Sequence, residues 1–146
     1  MNAIRRADDP DQELAEQLRQ AIGRLVRATR GRADALPRAR AELLGQLDRD
    51  GPQTIADLAA GRAVRHQAMS RAVKDVEALG LVRREADPRD ARAQLITITA
   101  AGTAAVDRDR KARRDLLATA IRERLDDAER LALQQVPRLL DKLTAP

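Results

Sequence analysis

Gln67, Ser70, Arg71 and Lys74 follow one another at steps of three, one and three residues. On a helix of 3.6 residues per turn that spacing gathers all four on one side, and no acidic residue shares the side with them. Their chemistry suits the edges of base pairs. The Arg71 guanidinium can fork onto guanine O6 and N7, the Gln67 amide can pair with adenine N6 and N7, and Ser70 and Lys74 can reach phosphates or base edges. Met69, Val73, Val76 and Leu79 occupy the opposite side and predict the contact with a core. Asp75 and Glu77 fall on the flanks. A solvated helix face normally mixes both charge signs, so an acid-free one favours the major groove of duplex DNA.

A second cluster is the run Asp87-Pro88-Arg89-Asp90-Ala91-Arg92, enclosed by "LVRRE" and "AQLITIT". The flanks are rich enough in branched residues to pair as a β-hairpin, with Asp87-Pro88 making the turn. In isolation this is a charged hairpin kept soluble by its own ion pairs. Directly after a groove-reading helix it becomes a wing, whose tip would meet the neighbouring minor groove, a narrow negative channel that attracts arginine. Asp90, two residues before Arg92, is spaced to hold that guanidinium extended. Arg89 can take a phosphate or the groove.

These two clusters need elements to position them. "DDPDQELAEQLRQAIGRLVRATRGR" predicts a helix with Asp9 as cap, Pro10 in the first turn and Gly31 as its stop. Leu14, Leu18, Ile22, Leu25 and Val26 give it one apolar stripe. Residues 1–9 read as a flexible tail. A second helix runs from Pro37 to about Asp48 with Leu43, Leu44 and Leu47 inward, and "DRDGPQ" is a turn. Thr54 caps a short helix carrying Ile55 and Leu58, and a tight connection leads to a longer one, about Arg65 to Leu79. Two short helices so joined form a helix-turn-helix, in which the first crosses the DNA backbone and the second enters the groove. Arg62 and Arg65 lie near the connection and suit phosphates. His66 either touches a phosphate or is a solvated turn residue. Beyond the hairpin, Thr99 caps a long helix from Ala100 to about Leu125. Asp126 or Asp127 caps a last one, which Pro137 should kink. The terminal helices carry long apolar stripes that fit a second copy of the chain, the alternative being antiparallel packing within one monomer.

Composition narrows the function classes. The 146 residues suffice for one domain, and 43% hydrophobic against 35% charged residues argues against disorder throughout. There is no cysteine, which excludes disulfides and thiolate chemistry, and a single histidine, which excludes a multi-histidine metal site. Phe, Tyr and Trp are absent, which disfavours binding single strands by base stacking. The net charge of +5 suits an acidic partner. All but Lys74, Lys111 and Lys142 of the basic residues are arginine, a skew that a genome rich in G and C would also produce. No apolar run spans a membrane and "MNAIRRADDP" is no secretory signal, so a cytoplasmic protein is expected. Paired aspartates alone do not make an enzyme without a nucleophile, a phosphate loop or a metal cluster, and no cofactor is expected.

The stretch "TIADLAAGRAVRHQAMSRAVKDVEALGLVRREADPRDARAQLITITAAG", Thr54 to Gly102, resembles the winged helix-turn-helix core of the MarR family of bacterial transcriptional regulators. The pattern of aspartate, proline and two spaced arginines ahead of "LITITAAG", following "EALGLV", carries the likeness. The resemblance implies a mainly α fold with a small β-hairpin wing and N- and C-terminal dimerisation helices. The N-terminal dimerisation helix and linker would be 10–36, the DNA-binding lobe 37–99 and the C-terminal dimerisation helices 100–146. It also implies a homodimer on a palindromic operator, acting as a repressor, and a small-molecule effector in the cleft between base and lobe. Base and backbone contacts then fall on Arg65, Gln67, Ser70, Arg71 and Lys74, and the wing contact on Arg92 supported by Asp90. Arg62 stands where the family usually has leucine, Ala63 where glycine is frequent, and Arg65 where a Ser or Thr cap is common. The absence of cysteine excludes thiol-oxidation sensing, and the absence of aromatics removes a stacking wall for a planar ligand. A winged helix kept as a protein-interaction module, docking an acidic partner, is the competing reading.

Overall fold

The computed structural model describes residues 9–30 and 36–145, the side chains of Arg30 and Ala91 excepted. The expected tail, apart from Asp9, and the Gly31 stop lie outside the described residues. The elements run α1 (Pro10–Arg30), α2 (Arg38–Asp50), α3 (Ile55–Gly61), α4 (His66–Ala78), β1 (Val82–Asp87), β2 (Asp90–Ile98), α5 (Ala100–Arg124), α6 (Asp127–Leu133) and α7 (Val136–Thr144). This is the mainly helical fold with a β-hairpin that the sequence predicts.

Most helix starts follow from a cap. Asp9 accepts the Asp11 N–H at 3.1 Å, and Thr54 accepts the Asp57 N–H at 3.1 Å. Thr99 accepts the Gly102 N–H at 3.1 Å. Asp126 and Glu129 form a reciprocal capping box at α6, at 2.8 and 3.0 Å.

The core belongs to the middle of the chain. Leu43, Leu44 and Leu47 from α2, Leu58 from α3, and Met69, Val73 and Val76 from α4 meet Val82 of β1, Ile96 of β2 and Val106 of α5, all essentially buried. Branched aliphatics and Met69 fill it in place of rings. The hairpin pairs antiparallel in register from Val82↔Ile98 to Ala86↔Gln94, with a shift before Asp87↔Asp90. Gln53 adds a bridge to Ile96 through backbone bonds of 3.2 and 2.7 Å. The "DRDGPQ" turn is thus partly helix and partly a third, minimal strand.

Two expectations are corrected. Leu79 is 53% exposed, not part of the apolar face. The helix ends at Ala78, and Gly80 at φ +71° turns the chain, so Leu81 packs on the core in place of Leu79. The last helix is not kinked at Pro137 but divided. Within a continuous helix Pro137 would lack its amide and clash with the carbonyl of Leu133. The chain instead breaks at Gln134 and Gln135 and restarts with Pro137 in the first turn of α7, where a missing N–H costs nothing.

Candidate nucleic-acid interface

α4 is oriented by its apolar side. With Met69, Val73 and Val76 sealed in the core, Gln67, Arg71 and Lys74 are left exposed and Ser70 half-buried. Arg65 occupies the cap position in extended backbone, and its side chain makes no cap bond. The first amides of α4 therefore lack the usual intrachain acceptor, and the positive end of the helix adds to the charge of Arg65, with His66 beside it in the first turn. Both side chains are exposed.

The connection into α4 is tight. Val64 N–H donates to the Ala59 carbonyl at 3.1 Å, and Ala63 takes φ +50°, the one non-glycine residue with positive φ among the described residues. This left-handed position is where the resembling family favours glycine, and a Cβ there is strained. Arg62 does not join the outward face. It is mostly covered and ion-paired with Glu42 of α2, twenty residues back in the chain. Bonding from Arg38, together with Arg62, holds the Glu42 carboxyl below the usual range.

At the wing tip the aspartates act on the backbone. Asp87, nearly buried, accepts the Arg89 N–H at 2.8 Å, with the Arg89 Nε more distant at 3.5 Å. Asp90 accepts the Arg92 N–H at 2.9 Å and makes no ion pair with the Arg92 guanidinium. The expected grip of Asp90 on that guanidinium is therefore replaced by a backbone bond. Both aspartates shape the loop through Asx turns, and the exposed Arg92 guanidinium has no partner among the described residues.

Two structural residues, Glu77 and Gly102, were not legible in the sequence, and a third, Asp87, was read only as part of the turn. Asp87 is the organiser of the tip, for which the Asp-Pro turn signal was the available hint. Glu77 reaches Arg84 of β1 at 3.0 and 3.2 Å. Gly102 sits where a Cβ would lie 2.1 Å from the Leu81 carbonyl oxygen, so only glycine lets α5 close on the root of the wing.

A family model described as MarR family matches residues 36–93. The HTH-type transcriptional regulator ML2140 of Mycobacterium leprae is 33% identical over 111 residues, covering 75% of this chain and 78% of its own. The chain belongs to the MarR family. This is a family of transcriptional regulators, not of enzymes. A crystal structure from Pseudomonas aeruginosa PA01 shares the MarR fold across nearly the whole chain, with a TM-score of 0.84 and 29% identity, covering 96% of this chain and 99% of that one. An S. aureus MepR mutant bound to an oligodeoxyribonucleotide has the same fold at 17% identity, with a TM-score of 0.67 over 89% of this chain and 97% of that one. Among the described residues no helix is long and apolar enough to cross a membrane.

Proposed function

We propose that this MarR-family regulator binds duplex DNA sequence-specifically as a homodimer, repressing transcription from a palindromic operator in the bacterial cytoplasm. In this reading residues 37–99 are the DNA-binding lobe, and 10–36 with 100–146 form the dimer base. The observation that carries it is the pairing of an exposed, acid-free α4 face with an exposed wing arginine that has no partner among the described residues. Gln67, Ser70, Arg71 and Lys74 take base edges and nearby phosphates. Arg65 and His66 take phosphate, Arg89 takes phosphate or groove, and Arg92 enters the minor groove from the loop that Asp90 shapes. Arg62, paired with Glu42, contributes by holding α3 on α2.

The dimer is supported by the apolar residues that α1, α6 and α7 leave exposed, Leu14, Leu25, Leu131 and Leu143 among them. Release by a small molecule is supported by a cleft of about 640 Å³ between α2, α3 and α5. Asp109 Oδ1 and Arg113 Nε on that wall are buried with no hydrogen-bond partner among the described residues. With no Phe, Tyr or Trp in the chain, its ligand would be held by hydrogen bonds and charge more than by stacking.

The test is a gel shift with random genomic fragments and with the DNA upstream of the protein's own gene. Retention of discrete fragments, weakening steeply as rising salt reduces the entropy gained from counterion release, is the expected result. No retardation at low salt would replace the DNA reading with that of a protein-interaction module.

A further inference from the structure

We propose that the Glu77–Arg84 pair is a strut that sets the angle between α4 and the wing. Both would then be positioning residues for site-specific DNA binding. The proposal rests on the reading of α4 and the wing as the two DNA-contacting elements.

The root of the wing is clamped by the backbone. Leu81 N–H donates to the Val76 carbonyl at 2.9 Å, Thr99 N–H to the Leu81 carbonyl at 3.0 Å, and Thr99 Oγ1 to the Gly80 carbonyl at 2.7 Å. Those bonds lie at one end of the hairpin and fix its position more firmly than its tilt. β1 advances roughly 3.4 Å per residue, so the tip at Asp87 stands about 17 Å beyond Val82. A tilt of about 10° would move the tip by about 3 Å, several times the tolerance of a hydrogen bond.

The Gln53–Ile96 bridge ties β2 to the lobe on the rung opposite Arg84, and Arg84 is the residue of β1 whose side chain resists tilt relative to α4. It shares the face of β1 that carries Val82 and stands across the ladder from Ile96, both buried. From there its Nε donates to both oxygens of Glu77, at 3.0 and 3.2 Å. The side chains are 25% and 36% exposed, so the bond is partly shielded from water and salt. The two residues are joined through the Leu79–Gly80 turn, and the bond closes a triangle of helix, turn and strand. No other ion pair among the described residues joins α4 to the wing. The neighbouring pair, Arg83 with Glu85 at 2.8 Å, lies within β1 and cannot constrain the tilt.

Charge supplies the discriminating consequence. Removing Glu77 takes a negative group from the flank of a surface that meets phosphate, so on electrostatics alone binding should tighten. A strut requires the reverse for specific sites. The wild-type protein is first used to isolate a duplex from a randomised pool. Affinity for that duplex and for a scrambled duplex is then measured for Glu77→Gln, Arg84→Gln and the double variant, with melting followed alongside. The expected result is a loss of about tenfold on the selected duplex for each single variant, little change on the scrambled one, and no further loss in the double variant. Unchanged or tighter binding of the selected duplex by Glu77→Gln would overturn the proposal. So would losses that multiply in the double variant. A loss confined to Arg84→Gln, equal on both duplexes and with a shallower salt slope, would make Arg84 a phosphate contact instead. If the wild-type protein enriches no duplex at all, it is the DNA reading that fails.

Discussion

The middle and the ends of this chain finish their burial differently. Between α2 and the start of α5, seven large side chains are sealed to under 2% exposure. In α6 and α7 no residue is buried, and Leu131 and Leu143 stand 64% and 72% exposed. Apolar content is not the cause, since α7 has Val136, Leu139, Leu140 and Leu143 within nine residues. The difference is one of partners. The lobe is closed by its own elements, whereas the terminal helices present stripes that the described residues cover only in part. A domain that completes its core alone is stable at any concentration. One that does not depends on association, and its stability follows mass action.

Breaking the lobe should have the largest effect. Leu44→Ala removes a fully buried side chain and is expected to cost about 4 kcal/mol, lowering the melting temperature by roughly 12 °C by calorimetry. The loss should be the same at every protein concentration. Leu139→Glu tests the other region. Leu139 is 48% exposed in a single chain, where such a change should be nearly neutral. Against a second copy it should weaken association by roughly a hundredfold, about 3 kcal/mol, in sedimentation equilibrium. An unchanged association constant would mean that α7 is ordinary surface.

Gly102→Ala probes the seam between the two regions. Its Cβ would meet the Leu81 carbonyl oxygen at 2.1 Å and Ile98 Cγ1 at 2.7 Å, so a destabilisation of about 3 kcal/mol is expected in urea unfolding. A neutral variant would show that the root of the wing has slack. Ala63→Gly should do the opposite on a small scale. Relief of the left-handed alanine, partly offset by glycine's added freedom in the unfolded chain, should raise stability by about 0.5 kcal/mol and melting by roughly 2 °C. A fall in melting would show that the turn gains nothing from glycine.

Much of this was legible in the sequence because the signals are local. Thr54 and Thr99 mark helix starts through bonds to amides three residues on, as does Asp126, one of the two caps the sequence offers there. The outward face of α4 follows from helical period alone. What escaped depends on neighbours distant in sequence or on competing local rules. Arg62 looked free for phosphate because Glu42, its partner, lies on another helix. Asp90 was near enough to Arg92 to pair with its guanidinium, yet the backbone amide was nearer. Leu79 matched the apolar period but fell one residue beyond the helix end that Gly80 imposes. Glu77 and Arg84 meet only once the turn folds them together.

The central claim is that α4 and the wing tip address adjoining grooves of one duplex. Hydroxyl-radical footprinting of a duplex selected by the wild-type protein, repeated with Arg92→Ala, tests it most directly. Affinity should fall about tenfold with melting unchanged, and the minor-groove protection beside each half-site should fade, while protection of guanine N7 from dimethyl sulfate, the mark of Arg71 in the major groove, persists. A variant that binds with wild-type affinity and leaves the same footprint would contradict the account.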